Sequence, residues 1–369
     1  MEGMIVMKVI VSAGGSGGHI YPALAIINKL KEKEKSLEIL YIGTHNRMEK
    51  EIVPKKGIAY QALEIYGFNK NIKRDIKNVF LIRKAKKQCL QIMKDFKPDV
   101  VIGVGGYVTY PVIWAAHHLG IKTFIHEQNS RPGKVNYLVS RYADVVGITF
   151  QSSQSYFKKA KKVVYTGHPS LDTQVNEPFN ISTLGFTKTK PLVLYVAGSL
   201  GSASLNQKMI EFLNGKREGY AIFYVVGSNV RLEEFKRKIT NHKDLKIVDY
   251  FEDLPRIMKE SDVIISRAGA GTLFEIIALG KKSIVIPSPN VANNHQYYNA
   301  KELEENKVIT VLSEEQLTKE ILNTKIQALL KEDNQTQELE KNMKRYREKQ
   351  PLEDIYKIVK DLTCSSKKF

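Results

Sequence analysis

Short apolar runs alternate with segments of helical periodicity along most of this chain. Strand-like runs occur in the first half as VIVSA, ILYIG, DVVIGVGG, KTFIHEQ, VVGITF and VVYTG, and in the second half as LVLYVAG, FYVVG, LKIVDY, DVIISRAG and SIVIPSP. Strands separated by helices are typical of parallel sheets that carry helices on both faces. The pattern therefore predicts the α/β fold class, with doubly wound, Rossmann-like sheets.

The chain length of 369 residues exceeds the usual size of one hydrophobic core, so we expect two domains. We place an N-terminal domain at 1–167 and a C-terminal domain at 168–350, with the boundary just after VVYTG. The segment 351–369 carries apolar residues at helical spacing. It predicts a terminal amphipathic helix that packs on one of the domains, with the N-terminal domain as the candidate.

Charge and composition narrow the classes of partner. The formal net charge of +18 fits a nucleic acid, an anionic membrane surface or a phosphorylated substrate, or simply a lysine-rich solvated surface. Cys89 and Cys364 form neither a disulfide framework nor a metal cluster, so we expect thiols in a reducing cytoplasm. No apolar run reaches membrane-spanning length and no leader pattern is present, so we expect neither a secreted nor an integral membrane protein.

Glycine-rich turns follow three of the predicted strands. They are GGSGGHIYPALAI at 14–26, GVGGYVTYP at 103–111 and AGSLGSASLN at 197–206. Such a turn lets backbone N–H groups approach an anion, and the following helix N-terminus adds a partial positive charge. Ile20 breaks the dinucleotide-binding spacing and no Gly-Lys-Ser/Thr follows, which argues against an NAD enzyme and against a P-loop. Anionic ligands are therefore predicted for both domains.

The most specific block is SRAGAGTLFEIIALG at 266–280, followed by SIVIPSP and NNHQYYNA. Thr272 stands near the start of a predicted helix, and Glu275 follows one turn later. Glu275 could accept hydrogen bonds from both hydroxyls of a ribose while the helix N-terminus faces a diphosphate, or it could simply complement the helix dipole. The later pair His295 and Gln296 favours the binding interpretation.

Six motifs, in this order and spacing, resemble the MurG family of glycosyltransferases, family 28: GGSGGHIYPAL, GVGGYVTYP, IHEQNSRPGKVN, AGSLGSASLN, SRAGAGTLFEIIALGKKSIVIPSP and NNHQYYNA. The resemblance runs from about Lys8 to about Ala300. It implies the GT-B fold, in which two Rossmann-like domains face each other across a cleft. It also implies inverting transfer of N-acetylglucosamine from UDP-N-acetylglucosamine to the C4 hydroxyl of the N-acetylmuramyl group of lipid I (undecaprenyl-diphospho-MurNAc-pentapeptide). The product, lipid II, serves peptidoglycan synthesis, cell-wall biogenesis, cell shape and cell division.

The resemblance assigns most donor contacts to the second domain. Ala270, Gly271, Thr272 and Ser199 correspond to diphosphate contacts, Glu275 to the ribose contact, Phe251 to backbone contacts with uracil, and His295 with Gln296 to the sugar contacts. Leu171 stands where the family has an arginine, Ala197 and Leu200 replace a glycine and a glutamine of the third turn, and His295 replaces a glutamine. We expect these departures to affect donor-binding details rather than the reaction.

The resemblance assigns the acceptor side to the first domain, at Ser16, Gly17, Gly18, His19, Tyr107, Glu127 and Asn129; Ser16, Gly17, Gly18 and Asn129 also count as UDP-N-acetylglucosamine contacts. An inverting transfer needs a base at the acceptor hydroxyl. His19 is the first candidate because imidazole titrates near neutral pH, although it could instead only orient the acceptor diphosphate. Glu127 is the alternative base. No Asp-x-Asp or metal-ligand cluster occurs, so we expect no metal and no other cofactor.

The segment from Lys70 to Lys97 is strongly basic and opposed only by Asp75 and Asp95. Ile72, Ile76, Val79 and Phe80 recur in it at helical spacing, which predicts an interfacial helix on anionic lipid, with Trp114 as an extra anchor. The alternative is an ordinary surface helix whose apolar stripe faces the core. The resemblance implies a peripheral protein on the cytoplasmic face of the bacterial membrane, and no nucleic-acid-binding motif occurs, so we expect no nucleic-acid partner. A related enzyme with another lipid acceptor and a non-catalytic nucleotide-sugar-binding protein remain the alternative functions.

Overall fold

The computed structural model describes residues 6–67, 72–198, 201–216 and 219–366. The chain forms two compact units, one comprising Met1–Pro169 with Gln350–Phe369 and the other Ser170–Lys349. The first boundary between the units thus lies two residues after the predicted one, and the second lies one residue before it.

The first unit is a parallel sheet with helices on both faces. Its strands are β1 (Met7–Ala13), β2 (Leu37–Thr44), β3 (Ala59–Leu63), β4 (Val100–Gly105), β5 (Lys122–Glu127), β6 (Val145–Ile148) and β7 (Val163–Tyr165), in the order β3-β2-β1-β4-β5-β6-β7. Its helices are α1 (Gly17–Lys33), α2 (Glu49–Ile52), α3 (Ile72–Phe96), α4 (Thr109–His118) and α5 (Lys134–Val139), with 3-10 turns at Pro54–Lys56, Ser140–Tyr142 and Gln151–Tyr156. One hydrophobic cluster covers each face of the sheet.

The second unit repeats this architecture. Its strands are β8 (Leu192–Val196), β9 (Ala221–Val225), β10 (Leu245–Val248), β11 (Val263–Ser266), β12 (Lys282–Val285) and β13 (Thr310–Val311), all parallel, in the order β10-β9-β8-β11-β12-β13. Its helices are α6 (Ala203–Asn214), α7 (Leu232–Lys236), α8 (Leu254–Glu260), α9 (Ala270–Ala278), α10 (His295–Glu305), α11 (Lys319–Leu330) and α12 (Asn334–Arg347). Two 3-10 turns lie at Ile181–Leu184 and Ala292–Asn294, and a third, Pro169–Asp172, straddles the boundary between the units.

The predicted α/β fold class and the two Rossmann-like sheets are confirmed. Every apolar run quoted above contributes to a strand. The strands β3 and β13 were not predicted, because β3 is an edge strand with alternating exposed positions and β13 is only two residues long. Neither has the continuous buried run that identifies a central parallel strand.

In each sheet the strand order reverses beside the first strand, between β1 and β4 in one unit and between β8 and β11 in the other. Ligands of open α/β sheets bind at the carboxyl ends of strands beside such a switch point. The first two glycine turns follow β1 and β4. The third glycine turn and the SRAGAG block follow β8 and β11, so every predicted anion-binding motif lies at a switch point.

The terminal helix α13 (Pro351–Ser366) packs on the first unit. Ile355 and Val359 are fully buried in the hydrophobic cluster beneath α1 and β1. On the rim of this contact, Glu34 accepts a hydrogen bond from the Tyr356 hydroxyl at 2.8 Å and pairs with Lys360 at 2.6 Å. The helix is therefore attached by apolar burial, with ion pairs at its edge.

The long helix α3 packs on the core through an apolar stripe other than the one predicted to face lipid. Its buried side chains include Leu81, Ala85, Cys89 and Met93, at helical spacing, and three of them belong to the core cluster. Val79 and Phe80 lie off that stripe and are 41% and 62% exposed. Ile72 and Ile76 fall among residues whose side chains lie outside the described ones. No helix in the described part of the chain combines the length and apolar character that crossing a membrane requires.

Candidate active site

The first two glycine turns contact each other directly through their backbones. The Gly14 N–H donates to the Gly105 carbonyl at 3.1 Å. Gly106, at φ +86°, lies so close to the Gly14 carbonyl that a Cβ at this position would overlap the oxygen. Glycine is required there because only hydrogen can fill the space between the two chains.

The turn after β1 presents backbone donors at the start of α1. Ser16 is the N-cap of this helix, and its side chain makes no capping hydrogen bond. Within the described residues, the N–H groups of Ser16, Gly17 and Gly18 have no hydrogen-bond partner. Ser16 and Gly18 are exposed. Three consecutive open donors at a helix N-terminus form an anion site.

The imidazole of His19 is held by the same turn. Its Nδ1 lies 3.1 Å from the Gly14 carbonyl oxygen and 3.4 Å from Ser16 Oγ. A carbonyl can only accept, so Nδ1 carries the proton and, in the neutral ring, Nε2 is the basic nitrogen. A Cβ on Gly105 would lie 2.6 Å from the ring, so the second glycine turn fixes the position of the imidazole.

Glu127, the alternative base, accepts hydrogen bonds from residues 129–136, which follow it in the chain. Its side chain is 1% exposed. One carboxylate oxygen accepts from Asn129 N and Nδ2 at 2.9 and 3.2 Å, and the other accepts from Gly133 N and Asn136 Nδ2 at 3.0 and 2.9 Å. Burial raises the pKa of this carboxyl, against the opposing effect of these donors. The geometry favours a loop-organising role for Glu127, and the assignment of His19 as the base stays a prediction.

Tyr107 and Asn129 flank the turn on neighbouring loops. The Tyr107 ring lies 3.8 Å from where a Cβ on Gly15 would be, and its hydroxyl accepts from Arg47 Nε at 3.3 Å. Asn129 is fixed by its bonds to Glu127, whose strand β5 pairs with β4. The structure thus brings all predicted residues of the first unit to the carboxyl edge of one sheet.

In the second unit, α9 begins with an uncapped turn. Its N-cap is Gly269, which offers no side chain. Among the described residues, no partner accepts from the N–H groups of Ala270, Gly271 or Thr272, and the first helical bond runs from Leu273 to the Gly269 carbonyl. These open donors and the helix dipole create a second anion site.

Glu275 lies one turn into α9. Its carboxylate has no hydrogen bond or ion pair with any described residue. Burial raises the pKa of this carboxyl to about 7. A carboxylate that lies largely out of water without hydrogen-bond donors is stabilised when the hydroxyl groups of a ligand donate to it. Glu275 is therefore suited to bind a diol.

The pair at the start of α10 has defined hydrogen-bonding roles. His295 Nδ1 donates to the Ala292 carbonyl at 2.8 Å, so Nε2 is the acceptor in the neutral ring. Gln296 Oε1 accepts from Ser288 N at 2.8 Å, which directs its amide nitrogen to other groups as a donor. The pair therefore offers one acceptor and one amide donor group.

Phe251, Ser199 and Leu171 complete the predicted set. The Phe251 ring packs edge-on against Phe179 and Phe223, with centroids 5.5 and 5.0 Å apart. Its backbone N–H and carbonyl make no hydrogen bond within the described residues, which leaves both for a ligand. Ser199 and Leu200 lie outside the described residues. Leu171, in place of the family arginine, is a buried packing residue.

Arg267 lies beside the predicted donor residues and was not predicted from the sequence. Its guanidinium is buried and donates to Ser202 Oγ at 2.7 Å and to the Ile286 carbonyl at 3.2 Å, and it pairs with Glu314 at 2.8 Å. These partners belong to the third glycine turn, the loop after β12 and the segment after β13. The sequence did offer one indication of its role, because Arg267 is a charged residue placed between a buried strand and a glycine turn.

No group of three or more His, Cys, Asp or Glu side chains that could hold a metal ion occurs in the residues that the structure describes. The metal-independence inferred from the sequence stays a prediction.

Comparison with models of known protein families shows to which family the chain belongs. The N-terminal domain model of glycosyltransferase family 28 matches residues 9–148, and its C-terminal domain model matches residues 192–357. The chain belongs to glycosyltransferase family 28. The resemblance inferred from the six motifs is thereby confirmed.

Family relatives match along nearly the whole length. A protein of Caldanaerobacter subterraneus subsp. tengcongensis named UDP-N-acetylglucosamine--N-acetylmuramyl-(pentapeptide) pyrophosphoryl-undecaprenol N-acetylglucosamine transferase is 41% identical, covering 97% of this chain and 100% of that protein. A Bacillus licheniformis protein of the same name is 38% identical, with 98% and 100% covered. The crystal structure of Acinetobacter baumannii MurG aligns with a TM-score of 0.76 at 28% identity, covering 96% and 99% of the two chains.

Proposed function

We propose that this chain transfers N-acetylglucosamine from UDP-N-acetylglucosamine to the C4 hydroxyl of the N-acetylmuramyl group of lipid I, with inversion, and releases UDP and lipid II. The names of its family relatives support this reaction. The observation that carries the proposal is the start of α9, where three open N–H groups precede a carboxylate that has no partner in the described residues.

On the donor side, the N–H groups of Ala270, Gly271 and Thr272 bind the diphosphate of UDP-N-acetylglucosamine. Glu275 accepts from the ribose hydroxyls, and the Phe251 backbone pairs with uracil. The His295 acceptor and the Gln296 amide bind hydroxyls of the sugar. Ser199 is retained as a further diphosphate contact by its place in the family motif.

On the acceptor side, the open N–H groups of Ser16, Gly17 and Gly18 bind the diphosphate of lipid I, with Tyr107 and Asn129 beside them; Ser16, Gly17, Gly18 and Asn129 can also contact the donor. His19 Nε2 takes the proton of the C4 hydroxyl as the hydroxyl oxygen attacks the anomeric carbon of the donor N-acetylglucosamine. The bond from that carbon to the diphosphate breaks, and UDP leaves with the electron pair. Backbone donors at the helix N-terminus stabilise the charge on UDP without a metal ion.

The lipid acceptor requires contact with a bilayer, and we propose that α3 provides it on the cytoplasmic face of the membrane. The exposed Phe80 and Val79 lie among exposed basic residues of the same helix. The Lys86 ammonium lies 4.2 Å from the Trp114 ring centroid, which joins α3 to the predicted aromatic anchor on α4. Apolar side chains ringed by basic ones suit an anionic lipid surface.

The test of the reaction is transfer of labelled N-acetylglucosamine from its UDP donor to a short-chain lipid I analogue in the presence of EDTA. We expect metal-independent transfer that falls about a hundredfold or more in His19→Ala. The matched control is His242→Ala, an exposed histidine of the second unit. Absence of transfer by the wild type, with donor binding intact, would exclude lipid I as acceptor and direct the search to other lipid acceptors.

A further inference from the structure

The peptide group between Gly14 and Gly15 is held at one end by the side chain of Glu49, which is distant in the sequence, and at the other by the nearby His19. Its N–H, on Gly15, donates to Glu49 Oε2 at 3.3 Å, and its carbonyl, on Gly14, accepts from His19 Nδ1 at 3.1 Å. The N–H and C=O bonds of a trans peptide point in opposite directions. Glu49 and His19 are therefore joined in series through one peptide group.

Glu49 is a buried carboxylate whose donors, among the described residues, are all neutral. Its side chain is 0% exposed. Besides the Gly15 N–H, it accepts from Thr44 N at 3.1 Å and from Thr44 Oγ1 at 2.6 Å, both at Oε1. It forms no ion pair with any described residue. An unneutralised charge in a low-dielectric interior polarises the hydrogen bonds attached to it.

Because both residues are glycine, the Glu49 carboxylate can approach the Gly14–Gly15 peptide, and the peptide needs such a partner to keep one orientation. A Cβ on Gly14 would overlap the Glu49 carboxylate, so the contact depends on glycine. Gly15 has φ +89°, and a peptide between two glycines can rotate because both residues tolerate either sign of φ. A hydrogen bond from this N–H to a fixed carboxylate selects one orientation of the peptide.

We infer that Glu49 is a positioning residue for His19, acting through the Gly14–Gly15 peptide. It directs the Gly14 carbonyl to Nδ1, which keeps the proton on Nδ1 and the basic lone pair on Nε2. Its negative charge polarises the peptide, and the polarised peptide carbonyl stabilises the imidazolium that forms when Nε2 takes the proton of the acceptor substrate. The inference rests on the proposed role of His19 as the base.

Other titratable or charged groups surround the same turn. Tyr41 and Tyr60 lie behind it, and burial, reinforced by the charge of Glu49, raises the pKa of both phenols. They therefore stay neutral in the working range of pH. Tyr107 lies in front of the turn, with Arg47 donating to its hydroxyl. Glu49 is a negative group that is linked to the ring by two hydrogen bonds through the Gly14–Gly15 peptide.

The decisive variant is Glu49→Gln, which removes the charge and leaves one acceptor oxygen for donors that occupy two carboxylate oxygens in the wild type. Protein labelled with ¹⁵N-histidine reports the His19 tautomer and titration directly, with the His19 signals assigned by their loss in His19→Asn. In the wild type we expect the Nδ1–H tautomer. In Glu49→Gln we expect a mixture with the Nε2–H form and a titration midpoint lowered by about one unit.

The kinetic counterpart is the pH profile of kcat/KM. In Glu49→Gln we expect the acidic limb to move down by about one pH unit and the plateau to fall about tenfold, since a less basic imidazole is a weaker base. The matched control is Asp99→Asn, because Asp99 accepts the N–H of Lys8 at 2.8 Å at the opposite end of β1. This control should lower stability and move neither the tautomer nor the pH profile.

Each outcome supports or overturns the inference. Glu49→Asp is a milder change that should move the His19 signals in the same direction by a smaller amount, so either variant that folds provides the test. Unchanged His19 signals in a folded Glu49 variant would overturn the linkage. If the linkage is present and the wild type transfers nothing to lipid I, the reaction proposed above fails and the linkage stands.

Discussion

The two switch points share one topology and differ in the buried charged groups behind them, a carboxylate in one unit and an arginine paired with a glutamate in the other. Behind the glycine turn of the first unit lies Glu49, held by backbone and hydroxyl donors. Behind the glycine turn of the second unit lies Arg267, paired with Glu314 and bonded to the surrounding loops. The unit proposed to bind UDP thus has a positive group beneath its loops, and the unit proposed to hold the base has a negative one.

This difference separates two ways of using a buried charge. Arg267 is compensated by Glu314, so its main effect is mechanical, because it ties three loops together. Glu49 has only neutral donors among the described residues, so its field acts on the peptide and the imidazole next to it. The same fold can therefore support either a rigid anion site or an activated base.

Breaking the Arg267 pair should give the largest effect. Arg267→Met leaves Glu314 buried and unpaired, which should cost about 3–5 kcal/mol in the free energy of unfolding and raise the KM for UDP-N-acetylglucosamine. Urea denaturation and donor-saturation kinetics measure both. The exposed Arg231→Met is the control and should stay within about 0.5 kcal/mol of wild type. Adding Glu314→Gln should restore much of the stability but not the donor KM; recovery of both would contradict the loop-tying role.

The contact between the first two glycine turns can be tested with a pair of glycine substitutions. Gly106→Ala and Gly57→Ala both impose a side chain at positive φ, of +86° and +66°, a strain of roughly 1–2 kcal/mol each. Only Gly106→Ala also meets the Gly14 carbonyl, whereas no atom lies within 4 Å of a Cβ on Gly57. We expect Gly106→Ala to lose more stability and to lower kcat, because the partner of His19 moves. Equal stability losses and unchanged kcat would show that the close contact is unimportant.

Membrane binding should distinguish the surfaces of the two units. Phe80→Ser removes an exposed apolar side chain from α3, and insertion of such a group into lipid is worth about 1.5–3 kcal/mol. We expect binding to vesicles containing anionic lipid to weaken by about tenfold or more in a sedimentation assay. Tyr250→Ser, at an exposed aromatic of the second unit, should have no effect. A similar loss in both variants would remove α3 as the docking surface.

The pH dependence of donor binding should give the smallest effect. Because the pKa of Glu275 is about 7, the carboxylate form dominates at pH 8 and is a minority at pH 6. If only this form binds the ribose tightly, UDP affinity should fall by about tenfold from pH 8 to pH 6, as calorimetry can measure. Glu275→Gln should bind more weakly at pH 8 and show no such change. A pH-independent wild type would contradict the assignment.

The same carboxyl makes a prediction for stability. Its pKa in the folded protein is raised from about 4.5 to about 7, so the folded state binds its proton more tightly than the unfolded state does. The corresponding stability is present below pH 4.5 and is lost as pH rises through 7. Glu275→Gln should therefore raise the free energy of unfolding at pH 8 relative to wild type and change it little at pH 4.

Most strands and the glycine-rich turns of this protein could be predicted from the sequence. Buried parallel strands must be continuously apolar, and a turn that presents N–H groups must contain glycine, so strands and anion sites are visible as local patterns. The family motifs then assigned His19 and Glu275. The edge strand β3 and the short strand β13 lack such a pattern, because an exposed edge does not require one.

The charged groups that lie behind these motifs became visible only in the folded chain. Glu49 stands in an ordinary charged stretch and reaches Gly15 because β1 and β2 end side by side, and Arg267 meets Glu314 because successive loops share one sheet edge. The role of a buried charge depends on the partners that folding brings to it, and those partners are distant in the sequence. Local residue patterns record the backbone requirements of a site, whereas its electrostatics arise from the topology.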